Sequence, residues 1–145
     1  MKSTHRFQVK ASVETVYKSV ISADRWLSFV PGYQGLESAD PNWPNEGSSL
    51  VVRFGFGPWM PRFKVTVVEH ERGHRFITHE EAFGGLYTDD VAFIFEGKNE
   101  TNRITAIREL GSKSLLIRIL LLLLFPLRWV TAYYFIRRVK AMVEI

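Results

Sequence analysis

Six segments between residues 33 and 110 alternate polar and apolar side chains with a period of two: YQGLES, SSLVVRFGF, PRFKVTVVEH, HRFITHEEAF, LYTDDVAFIFEG and TNRITAIREL. That period puts alternate side chains on opposite faces of an extended chain, so each segment reads as a strand with one buried face. The breaks between them carry turn formers, among them Pro44-Asn45-Glu46-Gly47, Gly57-Pro58, Arg72-Gly73, Gly84-Gly85 and Gly97-Lys98-Asn99. Connections this short join antiparallel neighbours. The resulting sheet has one apolar face that something must cover, and this need constrains the rest of the fold.

The flanking sequence supplies the cover. THRFQVKA near the N-terminus alternates and adds a seventh strand. Ser12 is placed to cap a helix in which Val13, Val16, Tyr17 and Val20 recur at helical spacing. DRWLSFV reads as a second short helix, capped by Asp24 and stopped by Pro31-Gly32. Residues 112–144 read as one long helical segment interrupted at Pro126. An unbroken helix over that range would reach roughly 50 Å. A compact domain of this size has a radius of gyration of about 15 Å, so Pro126 is expected to divide the helix. The chain has 145 residues, 46% of them apolar, enough for a core of its own, and residues 1–145 are expected to form one domain. The expected fold class is α+β: a curved antiparallel sheet of about seven strands wrapped around a long C-terminal helix, with two short helices after the first strand.

The stretch LLIRILLLLLFPL, residues 115–127, is the greasiest of the chain. Its charge-free run, Ile119 to Leu127, lies between Arg118 and Arg128 and is too short for a bilayer span, which needs about 20 apolar residues. Extending across the arginines costs roughly 2.5 kcal/mol or more for each one near the bilayer centre. A helix packed on one sheet should keep a polar face, and this one has none over residues 119–125. A dimer partner, a membrane surface or a neighbouring loop is needed to cover it. Charge points the same way. Residues 112–145 hold Lys113, Arg118, Arg128, Arg137, Arg138 and Lys140 against Glu144 alone, while the remainder is nearly neutral. Basic residues beside apolar ones suit an anionic membrane surface. Cations near a helix C-terminus also suit the helix dipole alone.

Several chemistries are excluded or unsupported. With no cysteine there is no disulfide, thiolate chemistry or Cys-ligated zinc. His70, His74 and His79 fall in one hairpin without a metal-ligand signature, so neither metal nor cofactor is expected. No phosphate-binding or nucleophile-elbow motif occurs. The basic residues form no stripe interleaved with stacking rings, so nucleic acid is not an expected partner. The N-terminal MKSTHRFQVK lacks an apolar signal region, and a cytoplasmic location, at most peripheral at a membrane, is expected.

FQVKASVETVYKSVISADRWLSFVPGYQGLE, residues 7–37, resembles the START-like superfamily (SRPBCC) of polyketide cyclase/dehydrase and lipid-transport proteins. The carrying features are the AS-x-E-x-V-aromatic start and the D-x-aromatic-x-x-aromatic-x-P-G that follows. The C-terminal LRWVTAYYFIRRVKAMVE is similar to the closing helix of those proteins. The resemblance implies the helix-grip fold, with its functional place in a cavity between sheet and closing helix. It implies little about function, because one fold hosts many.

Strand alternation then names the side chains that face such a cavity: Phe54 and Phe56 with Leu50 and Val52, Phe63 with Val65 and Val67, Phe93 with Val91 and Phe95, and Phe76. Trp26 and Phe29 come from the second short helix, and Trp129 and Tyr133 share a face of the closing helix. Rings at these spacings pack a filled core as readily as they line a hollow. The register also carries Tyr87 and Asp89 inward. Asp89 either meets a partner there, with Arg108 of TAIREL on hand, or sits in solvent beside Asp90. The first expectation is a binding or carrier protein for a hydrophobic small molecule. The alternatives are a cyclase/aromatase-type enzyme using Tyr87, Asp89 and Arg108, and a co-chaperone-like interaction module. The closing helix is available for a peripheral membrane contact or a homodimer.

Overall fold

The computed structural model describes residues 2–30, 32–55, 58, 60–98, 100–124 and 128–144, with the side chains of residues 98, 121, 124, 128, 129 and 131 outside the description. Seven strands form one antiparallel sheet: β1 (Lys2–Val9), β2 (Tyr33–Ala39), β3 (Ser49–Phe54), β4 (Arg62–Glu71), β5 (Arg75–Ala82), β6 (Tyr87–Lys98) and β7 (Thr101–Gly111). Their order is β1-β7-β6-β5-β4-β3-β2, so every pair but β1–β7 is a sequence-adjacent hairpin, as short connections dictate. At the β6–β7 turn a Cβ on Gly97 would lie 2.2 Å from the Thr101 carbonyl oxygen, so only glycine fits there.

Cross-strand register brings the predicted apolar positions onto one face. Phe76 lies opposite Phe93, and Phe93 opposite Ala106. Leu50, Val52, Val65 and Val67 are buried on the same side. A register shift at Val67/Glu69 places Val68 in a bulge, which explains why this valine stays exposed within an alternating strand.

Helix α1 (Val13–Val16) begins where the cap was expected, with the Ser12 hydroxyl accepting the Thr15 N–H at 3.2 Å, and continues as a π-helical turn over Tyr17–Ile21. The expected second helix over 24–30 is instead a run of single turns. The Arg25 and Trp26 N–H groups both donate to the Ser22 carbonyl, at 3.0 and 2.8 Å, and Leu27 then adopts φ +64°, which no helix continues. The run drives Trp26 into the core. Its ring meets Phe29, Trp43, Phe76 and Phe93 at centroid distances of 5.3 to 6.2 Å.

The C-terminal segment comprises α2 (Leu115–Leu124) and α3 (Arg128–Val143). Pro126, the predicted break, lies outside the described residues. Among the described residues of this segment, those of α3 close the sheet. Phe135, Ile136, Val139, Met142 and Val143 form its inner face, and Phe135 packs on Phe7, Phe29 and Phe93. Tyr133, predicted to face inward, is 67% exposed instead. At about 100° per residue, two steps from Phe135 put it on the opposite side. No helix among the described residues is long and apolar enough to cross a membrane.

Candidate functional site

The expected hollow beneath the closing helix is filled over its central part. Among the described residues the void there holds about 10 Å³, bounded by Phe7, Val20, Trp26, Phe93, Phe135 and Val139 among others. That is room for about one water molecule. Trp26, Phe29, Phe76 and Phe93, named above as ligand contacts, are completely or almost completely buried members of this packed core. Phe56 and the side chain of Trp129 lie outside the described residues.

The concave face changes character toward the start of β6. Each inner-facing row of the sheet runs across several strands, and one row reads Leu50, Val65, Glu80, Asp89, Leu110. Two carboxyl groups thus stand side by side on an otherwise apolar face. Asp89 is fully buried and Glu80 nearly so. Arg108 approaches from β7, one row away, and donates through Nε at 3.0 Å and through a second guanidinium nitrogen to the same Asp89 oxygen, Oδ2. The Tyr87 hydroxyl donates to Oδ2 as well, at 3.4 Å. Tyr87, Asp89 and Arg108 therefore converge, and the buried reading of Asp89 is the one the chain adopts.

The grip is lopsided. Asp89 Oδ2 takes all three donors, whereas Asp89 Oδ1 is buried with no partner among the described residues. Glu80 Oε1, Thr78 Oγ1 and Trp26 Nε1 share that condition. A buried polar atom without a hydrogen bond costs about 1–3 kcal/mol. Native chains carry few such atoms, and each asks for an explanation.

Electrostatics follow from this geometry. Burial pushes the Glu80 carboxyl up to about 8, and the neighbouring Asp89 charge adds to the rise while Arg108 opposes it. At neutral pH Glu80 is therefore mostly a neutral acid with a proton to donate. Burial also moves Asp89 upward, against the pull of the guanidinium. The Tyr87 hydroxyl is raised by burial and by Asp89, so it stays protonated and remains a donor. Arg108 is raised mainly by Asp89 against its own burial, and its side chain keeps 41% of its surface exposed.

Aromatic rings lead from solvent to this cluster. Tyr33, Phe54, Phe63 and Tyr87 form a chain of edge-to-face contacts at 5.8, 5.1 and 5.3 Å, and Phe83 flanks Phe63 at 6.4 Å. Phe54 and Phe63 were named from sequence, and both sit here, only partly buried. Thr78 and Tyr33 were not, and Glu80 and Phe83 belong to HEEAFGG, residues 79–85, which the sequence offers as one edge of a cavity mouth. The histidines lie elsewhere: His70 bonds the Tyr17 hydroxyl at 2.9 Å, and His79 pairs with Asp90 at 2.7 Å on the outer face.

Solved structures share this architecture from end to end. A protein of Chromobacterium violaceum matches with a TM-score of 0.73 and 11% identity, covering 99% of this chain and 97% of that one. A START superfamily protein from Mycobacterium smegmatis matches with a TM-score of 0.70 and 12% identity, covering 99% and 97%. The di-domain ARO/CYC protein StfQ from the steffimycin biosynthetic pathway matches with a TM-score of 0.72 and 14% identity, covering 99% of this chain and 50% of StfQ. No protein-family model and no curated protein matches the sequence. The chain has the START-like helix-grip fold.

Proposed function

We propose that the protein binds a hydrophobic small molecule carrying a polar group, lipid-like or polyketide-like, at the ring-lined end of the concave face. One observation carries this reading. Asp89 Oδ1 and Glu80 Oε1 are buried and without a partner among the described residues, next to the half-buried rings of Phe54, Phe63 and Tyr87. Rings with a few convergent polar groups are the usual lining of a small-molecule site. A ligand hydroxyl would satisfy Asp89 Oδ1, and protonated Glu80 would donate to a carbonyl. The apolar body would lie against the rings. The packing of Trp26, Phe29, Phe76 and Phe93 at the centre of the fold supports a site at this end of the space between sheet and closing helix. The START and ARO/CYC descriptions of similarly folded proteins are compatible with such a ligand.

Native mass spectrometry of the purified protein, followed by titration with a long-chain fatty acid and an aromatic polyketide, tests the proposal. A copurifying or added ligand should bind, and Phe63→Ala should weaken it at least tenfold. Absence of any bound species with either class, in protein shown to be folded, overturns it.

A second reading has its own support. The neutral Glu80 acid beside the Tyr87–Asp89–Arg108 group is an acid–base set suited to cyclisation or dehydration of a polyketide-like substrate. Asp89→Asn separates the two. It should leave a carrier's affinity within a few-fold but abolish an enzyme's turnover.

A further inference from the structure

Among its described side chains, helix α2 is almost bare. Leu115, Leu116, Ile119, Leu120, Leu122 and Leu123 are all exposed, Leu116 by 74% and Leu123 by 72%. At about 100° per residue these six side chains spread over roughly 160° of the helix circumference. A partner helix covers a narrower seam than that. The face fits a fluid apolar medium better than a second copy of the chain.

Charge identifies the medium. No aspartate or glutamate occurs between Glu109 and Glu144, and among the described side chains Lys113, Arg118, Arg137, Arg138 and Lys140 are exposed or half-exposed cations of the same stretch. The outer face of α3 continues the pattern. Val130, Tyr133, Tyr134, Arg137 and Arg138 recur at helical spacing, and all are exposed. Tyrosines belong at the headgroup level of a bilayer, and arginines pair with anionic lipid. The length of α2 limits the depth. Ten residues reach about 15 Å, half of a hydrocarbon core.

We propose that α2 and the outer face of α3 dock onto an anionic lipid bilayer, with the leucines of α2 in the acyl boundary and the α3 arginines among the headgroups. The base of α2 is tied to the β5–β6 turn. The Lys113 N–H donates to the Gly85 carbonyl and its ammonium to the Gly84 carbonyl, both at 3.4 Å. That turn immediately precedes Tyr87, so docking brings the ring-lined end of the sheet to the membrane. The docking itself goes beyond the ligand proposal and does not depend on it.

Flotation of the full chain with vesicles tests the docking, using phosphatidylcholine alone and phosphatidylcholine mixed with phosphatidylserine. The protein should float with the mixed vesicles and much less with the neutral ones, and added salt should weaken the association. Arg137→Gln with Arg138→Gln should lower the partition coefficient at least tenfold, since each cation near the surface is worth roughly fivefold. Leu116→Glu with Leu123→Glu should abolish flotation while leaving the circular dichroism spectrum and solution ligand binding unchanged, because both side chains are largely exposed to water. No flotation, indifference to lipid charge, or equal flotation of the glutamate variant overturns the proposal. So does a dimer in sedimentation that the glutamate variant breaks in a chain that ignores vesicles. Ligand binding measured without vesicles fails or succeeds separately.

Discussion

Glu80→Gln offers the most direct probe of the buried carboxyl pair. The parent carboxyl ionises near 4.5 in the unfolded chain and at about 8 in the fold, because burial disfavours its charge. Folded protein therefore holds the proton more tightly, and ionising Glu80 destabilises the fold. Its effect is absent below the unfolded value, grows as pH rises between the two, and levels off above 8. Each tenfold difference in proton affinity is worth about 1.4 kcal/mol. The cost is then about 3 kcal/mol at pH 7, and the parent loses roughly 4 kcal/mol between pH 5 and pH 9 from this group. Glutamine keeps the shape and cannot ionise. Asp89 remains in both proteins, so the difference between their pH profiles reports Glu80. Urea unfolding followed by tryptophan fluorescence supplies the measurement. With a slope of about 2 kcal/mol per molar urea, the parent midpoint should fall by about 2 M across that range relative to the variant. Parallel profiles for parent and variant would refute the reasoning, and Glu80 would then have to be hydrated in solution.

Other substitutions probe separate parts of the fold. Arg108→Met leaves Asp89 buried without its cation and should cost about 3 kcal/mol near neutral pH, less in acid where Asp89 is protonated, as read from urea midpoints at two pH values. Phe93→Ala removes a ring held between Trp26 and Phe135 and should cost about 4 kcal/mol in chemical denaturation. Val68→Thr, in the exposed bulge of β4, should change stability by less than about 0.5 kcal/mol.

The sheet was legible because period-two alternation is a direct imprint of a half-buried strand. Leu50/Val52, Val65/Val67 and Val91/Phe93/Phe95 announce the concave face without help from tertiary contacts. Asp89 could be placed inward by the same count. Glu80 was equally countable, since Phe76, Thr78, Glu80 and Ala82 alternate along β5, all buried. Its inward placement was missed because Glu80-Glu81 reads as a solvated pair, and charged residues are mostly exposed. The turn run at 22–30 was illegible for a different reason. Apolar spacing in DRWLSFV suits a helix, and nothing in the sequence marks Leu27 for a positive φ. The filled core was undecidable from pattern alone, because a ring packed against Trp26 and a ring lining a hollow share one periodicity. On α3 the inner face was misassigned by two residues, to Tyr133 instead of Phe135. Aromatic content on both sides of that helix hides its orientation.

The polar cluster is hard to justify as a stabilising device. Replacing a buried ion pair by apolar residues of similar volume is often neutral or stabilising by about 1–4 kcal/mol. Here the pair comes with an additional carboxyl that ionises only at a cost, and with an oxygen on each acid that has no partner among the described residues. A chain selected for stability alone would fill this end as it fills the centre, with rings. Departures from local stability rules concentrate at functional sites. The triple variant Glu80→Leu, Asp89→Leu, Arg108→Met sharpens the argument. If the cluster serves a ligand, the variant should be at least as stable as the parent and should no longer discriminate between ligands with and without a polar group. If it is less stable than the parent by several kcal/mol, the cluster holds the sheet together, and the ring-lined end loses its strongest claim to be the site.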